Sequence, residues 1–203
     1  MKTGIEGKTI QERSTHLLKL FSSRRFLNKE GLGNEVPFFI CPFPPSDTVE
    51  MQKVQKQLIN QLSFSGISVL EIDLYDTALE LLREREILND IFEKENEYSK
   101  DELLELLQNV LDPEQELIPV IAKRVREQEH QILFITSVGE VYPYIRSHNV
   151  LNNLQSVAKE KPTVMFFPGE YTQSTLSGSA LELFGKLKDD KYYRAFNVYL
   201  CEV

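Results

Sequence analysis

The 203-residue sequence contains no apolar run approaching the ~18–20 residues needed to cross a bilayer. Its opening residues, MKTGIEGKTIQERSTH, are polar and hold no apolar signal-peptide core. A cytoplasmic protein without membrane contact is therefore expected. Cysteine is scarce as well: Cys41 and Cys201 each lie in or beside an apolar run, and two thiols build no disulfide framework. With His16, His130 and His148 scattered along the chain, they form no zinc-type motif either. Both cysteines read as buried free thiols. No Gly-x-Ser-x-Gly elbow occurs, and no Ser or Cys stands at a recognisable spacing from a His and an acid. Of the histidines only His148 lies near the central turn described below, and it reads as a helix-surface residue.

Positive charge is the other shortage. The net charge is −8, and it is unevenly spread. Residues 1–35 hold seven Lys/Arg against four Asp/Glu, giving +3, whereas residues 66–129 hold seven against eighteen, giving −11. An acidic surface repels phosphates, so non-specific nucleic-acid binding is disfavoured and any contact with nucleic acid is expected to be weak or indirect. The exception is the basic N-terminal segment, with Lys19, Arg24, Arg25 and Lys29. It either meets phosphate or an acidic partner, or is a solvated helix face.

What is present is an alternation of strand-like and helix-like segments. Thr9-x-x-Glu12 opens an amphipathic helix over 9–27, within an N-terminal helical segment 9–30. Short apolar runs bounded by turn residues predict strands at Val36–Cys41, Ile67–Leu74, Ile132–Thr136, Thr163–Phe167 and Ala195–Leu200. Between them, Asp47-x-x-Glu50 caps a helix over Thr48–Phe64, and a third helix runs from Tyr75 to about Glu93. Ser99-x-x-Glu102 and Asp112-Pro113 start two more. The stretch from the second strand to the third is far longer than a minimal crossover, so 75–129 reads as an acidic helical insertion. Ser179-x-x-Glu182 caps a short helix before the last strand. The fold class this implies is α/β: one domain over 1–203, a three-layer sandwich around a five-stranded, mostly parallel sheet. Strand order 5-1-4-3-2, as in P-loop-type sheets, is favoured over a flavodoxin-like 2-1-3-4-5.

The organising stretch is Gln131–Leu154, QILFITSVGEVYPYIRSHNVLNNL. A buried strand leads through Ser137-Val138-Gly139 into a helix opened by Pro143, which suits a first helical position. The bend should hold Glu140, Tyr142 and Arg146 at the carboxyl end of the strand, where open α/β sheets bind ligands.

A phosphate loop after the first strand would aim glycine amides at phosphate oxygens, with a Lys beside them. Here that stretch is Pro42-Phe43-Pro44-Pro45-Ser46-Asp47. Three prolines supply no N–H, no glycine allows close approach, and Asp47 repels phosphate. The glycines of Gly31-Leu32-Gly33-Asn34 precede a strand, so they make no dinucleotide fingerprint. The layout is that of a P-loop NTPase without its P-loop, and no cofactor is expected. Two site readings remain. Asp73, Asp76, Glu140 and Glu170 fall at strand ends, and if they converge they offer oxygen ligands for magnesium, hence an enzyme or nucleotide sensor. Alternatively Tyr142, Arg146, Tyr171, Tyr193 and Arg194, residue types enriched at interface hot spots, make the same edge a protein-binding face.

The segments GLGNEVPFFI, ISVLEIDLYD, LDPEQELIP, VGEVYPYIRSHNVLNNLQ, FFPGEY and LFGKLKDDKYYRAF resemble, in order and across residues 10–200, the BrxB family of small BREX-system proteins. The resemblance implies a role in bacterial defence against phage. It also implies a non-catalytic assembly partner of other BREX proteins, most of all the alkaline-phosphatase-like PglZ. It carries over no catalytic residues.

Overall fold

Apolar runs line up side by side in one layer. The computed structural model describes residues 8–31, 37–174, 178–189 and 195–202. Its strands are β1 (Phe38–Phe43), β2 (Val69–Asp73), β3 (Ile132–Thr136), β4 (Thr163–Ser174), β5 (Gly178–Leu183), β6 (Leu187–Asp189) and β7 (Phe196–Asn197). The order β2-β3-β4-β1-β7 is parallel throughout, which is the expected 5-1-4-3-2 read from the other edge. Beyond it, β4 runs on into an antiparallel hairpin with β5 and β6.

Alternation along strands buried on both faces assigns the side chains to two cores. Phe39, Cys41, Phe43, Ile132, Phe134, Val164 and Phe166 belong to one apolar cluster. It is covered by α1 (Ile10–Ser22), α2 (Arg24–Leu27) and α3 (Thr48–Phe64). Phe38, Ile40, Leu133, Ile135, Met165 and Phe167 belong to the other. There the cover is α4 (Leu74–Glu84), α5 (Ile87–Lys94), α6 (Lys100–Val110), α7 (Ile118–Glu127) and α8 (Ser147–Leu154).

The N-terminal helices are part of the core. Leu17, Leu20, Phe21 and Phe26 are buried, and Phe21 packs on Phe134 at 5.4 Å between ring centroids while Phe26 packs on Phe39 at 4.7 Å. Each such side chain contributes about 1.5–3 kcal/mol by burial. The acidic block 75–129 likewise sends Leu81, Leu82, Leu107, Leu117 and Ile121 into the same cluster as Leu133 and Ile135. Its charges face outward.

Three of the caps form as the sequence dictates. Thr9 with Glu12 and Ser99 with Glu102 make reciprocal capping boxes, and Asp112 Oδ1 accepts from the Gln115 N–H at 2.8 Å. Others differ. The 9–27 helix is two helices, because the Ser23 N–H closes α1 onto the Leu20 carbonyl while its hydroxyl caps α2. The Tyr75–Glu93 helix is broken at Glu86, which adopts a left-handed φ of 59°. Asp47 makes no side-chain cap to α3, since its carboxylate is engaged elsewhere. Pro143 does not open a helix: the Tyr142–Pro143 peptide is cis, and α8 begins at Ser147. His148 is buried rather than on the helix surface.

The largest correction is at Ser179-x-x-Glu182, which lies in strand β5 rather than capping a helix. Leu181 and Leu183 are spaced by two and both are buried, a strand pattern that outweighs the capping signal. The last strand is short, and Val198–Leu200 forms a helical turn. Both cysteines are free, on neighbouring segments: the Cys41 sulfur lies 3.6 Å from the Tyr199 hydroxyl, and the Cys201 sulfur 3.5 Å from the Asn197 carbonyl oxygen. Burial pushes the Cys41 thiol up to about 12 and the Cys201 thiol up to about 11, so both stay protonated.

Candidate functional site

The carboxyl ends of the parallel strands carry four different endings. After β1, Pro44 leads into a tight helical turn, Pro45–Asp47, closed by an Asp47 N–H bond to the Pro44 carbonyl at 2.9 Å. Asp47 Oδ2 accepts from the guanidinium of Arg13 at 3.0 Å, and the Arg13 side chain is only 7% exposed. β1 thus ends in a proline turn tied to α1 by this ion pair.

After β2, Asp73 has two partners. Its Oδ1 accepts from the Asp76 N–H at 3.0 Å, capping α4, and its Oδ2 accepts from the Ser137 hydroxyl at 2.6 Å. Ser137 follows β3 with a left-handed φ of 57°, a backbone state that aims its side chain back at β2. Beside it, Glu71 accepts from the Thr136 hydroxyl at 3.0 Å. Burial raises the Glu71 carboxyl above its ordinary value, with the Thr136 bond opposing and the Asp73 charge reinforcing the shift.

After β3, Glu140 accepts from the Gln52 side chain of α3 at 3.0 Å. After the parallel part of β4, Glu170 faces Glu182 across the β4–β5 ladder and is exposed. Asp73 and Asp76 thus adjoin at the start of α4, whereas Glu140 is held by Gln52 of α3 and Glu170 lies on the β4–β5 ladder. Among the described residues, no three His, Cys, Asp or Glu come together as a metal ion would require.

The other set of sequence candidates divides differently. Tyr171 is a core residue: it is 3% exposed and its hydroxyl donates to the Ala195 carbonyl at 2.7 Å. Tyr193 and Arg194 lie outside the described residues. Tyr142 and Arg146 do come together, lining a cavity of about 300 Å³ with Ser147, Phe167, Leu181, Leu183, Lys186 and Leu187. Two glycines allow close packing beside it. A Cβ on Gly169 would stand 2.1 Å from the Glu182 carbonyl oxygen, so only glycine lets β5 cross so close to β4. A Cβ on Gly139 would stand 2.9 Å from the Pro168 ring and 3.1 Å from the Phe184 ring. Phe184 turns the hairpin at a left-handed φ of 56° and meets Tyr142 edge-on, 6.3 Å between ring centroids. Sequence reasoning missed Ser147, Leu181, Leu183, Lys186 and Leu187. The Leu181/Leu183 alternation was the available signal.

Of the basic N-terminal residues, Arg25 pairs with Glu202 at 2.6 Å, Lys19 and Arg24 are exposed, and Lys29 is half-buried at a left-handed φ of 57°. Among the described residues, no helix is long and apolar enough to cross a membrane.

Comparison with known proteins gives one consistent family. A family model described as BREX protein BrxB matches residues 70–198. The chain is 35% identical over 198 residues to the BREX protein BrxB of Bacillus cereus (strain H3081.97), covering 94% of this chain and 98% of that relative. It is 26% identical over 193 residues to the BREX protein BrxB of Escherichia coli O9:H4 (strain HS), covering 93% of this chain and 91% of that one. No solved structure matches.

Proposed function

The chain belongs to the BrxB family of BREX proteins, and on that premise we propose that it is a non-catalytic assembly component of a BREX-type anti-phage defence complex. Its partners are other BREX proteins, and the contact we favour is with PglZ, the alkaline-phosphatase-like member. It works in the cytoplasm and meets nucleic acid, if at all, indirectly. The observation that carries this reading is the ending of β1. A sheet with this strand order has its anion-holding position filled by Pro44, Pro45 and an Asp47 carboxylate pinned by buried Arg13. Such an end is a wall, and the sheet is left as a scaffold. The magnesium reading lacks the convergence of Asp73, Asp76, Glu140 and Glu170 that it needed.

The test is co-purification. The purified chain, mixed at micromolar concentration with each BREX protein of its own system, should form a stable complex with at least one, PglZ first. A chain that stays alone beside all of them would overturn the proposal, as would cleavage of ATP by the purified chain.

A further inference from the structure

The cavity between the β4–β5–β6 hairpin and the turn after β3 has a divided chemistry. Its floor is apolar, from Phe167, Leu181 and Leu183, with Leu187 40% exposed at the mouth. Its rim carries two cations, Arg146 and Lys186, both exposed. Among the described residues, neither side chain makes a hydrogen bond or ion pair. Together they place two positive charges beside an apolar floor on a chain of net charge −8.

Its wall is close-packed where Gly139 and Gly169 meet Pro168, Phe184 and the Glu182 backbone. A volume of about 300 Å³ suits one or two apolar side chains.

We infer that this cavity is the docking site for an acidic, apolar-anchored segment of a partner protein. An apolar side chain packs against Leu187 at the mouth, above the buried Phe167, Leu181 and Leu183, and an adjacent carboxylate sits between Arg146 and Lys186. The anchor supplies most of the affinity, because its burial removes apolar surface from water. The exposed ion pairs add little affinity and mainly select the partner and its register. This inference rests on the assembly role proposed above and names the surface that performs it.

The experiment uses the full chain and each purified BREX protein of its system. Arg146→Glu with Lys186→Glu, both surface changes, is compared with wild type for folding by circular dichroism and for affinity by biolayer interferometry at two salt concentrations. The double reversal should weaken the captured partner at least tenfold. A matching reversal on the acidic block, Asp90→Lys with Glu93→Lys, should leave that affinity within twofold. Zero-length carbodiimide coupling of the wild-type complex should join Lys186 to an Asp or Glu of the partner, identified by mass spectrometry. If wild type captures no BREX protein, the assembly role itself fails. Capture by both forms with equal affinity would leave the assembly role standing and remove this site. Loss of the complex on nuclease treatment would also remove it, in favour of a nucleic-acid bridge.

Discussion

After β1 the chain turns at once through Pro44 and Pro45 and is pinned by Arg13, whereas after the parallel part of β4 it continues past Pro168 into a hairpin. The two strands are neighbours in the sheet, paired from Phe38–Thr163 to Phe43–Pro168. Their endings nonetheless have opposite consequences. One end turns through two prolines and is fixed by a partly buried ion pair. The other runs on into a hairpin packed closely at Gly139 and Gly169, and beside it lies a cavity with Arg146 and Lys186 exposed at its rim. In this sheet the cavity lies beside the hairpin that extends β4, away from the first strand's turn.

The largest effect should come from the close crossing of β4 and β5. Gly169→Ala puts a methyl carbon on the Glu182 carbonyl, so the hairpin must shift or detach, at a loss of about 3 kcal/mol or more. Urea unfolding measures it, and a loss below ~0.5 kcal/mol would show that the close crossing of β4 and β5 is not needed. Next is the closed end. Arg13→Met leaves the Asp47 carboxylate without its partner, and a destabilisation of about 2–3 kcal/mol is expected, reduced from the fully buried case because the Asp47 side chain is 33% exposed. Adding Asp47→Asn should recover part of that loss, and the coupling between the two substitutions is the quantity to read.

At the open end, the contrast sharpens in the other direction. Arg146→Glu alone should change stability by less than about 0.5 kcal/mol, since the side chain holds nothing in the described fold. A thermal melt that fell by many degrees would place Arg146 in the architecture rather than on a binding rim. The smallest effect belongs to Glu71, on the edge strand β2. Its carboxyl is raised by burial, so the folded state favours the protonated form. The stability this confers is fully present below the ordinary carboxylate value and is lost as pH rises through the raised one. Glu71→Gln should flatten that slope and make the variant the more stable protein on the alkaline side, by less than about 0.5 kcal/mol for so exposed a group. Urea midpoints between pH 4 and pH 8 in roughly unit steps would show it.

Much of the closed end could be read in the sequence. Prolines remove backbone donors wherever they stand, so Pro42, Pro44 and Pro45 ruled out an anion cradle before any coordinates. The parallel sheet was legible for a similar reason, because Ile132–Thr136 and Thr163–Phe167 are too short and too apolar to be half-exposed. That Asp47 pairs with Arg13, thirty-four residues earlier, was not readable: a carboxylate before a helix looks like a cap whether or not it caps.

The open end was concealed by local signals that mislead. Pro168-Gly169 resembles a strand stop, and Ser179-x-x-Glu182 resembles a capping box. Only the two-residue spacing of Leu181 and Leu183 favoured a strand, and tertiary pairing with Gly169–Ser174 decided the matter. Tyr171 was read as a surface aromatic because nothing local shows that Ala195 will accept its hydroxyl proton. Tyr142 and Arg146 were found because they depend on a neighbouring strand end alone. Lys186 and Leu187 depend on the hairpin, and went unseen with it.

Amide hydrogen exchange of the chain, alone and assembled with its BREX partners, tests the comparison of the two ends most directly. The account predicts new protection over 144–147 and 181–187 on assembly, with 45–50 unchanged. Protection at 45–50, or on adding magnesium and ATP to the chain alone, together with no change at the hairpin, would contradict it.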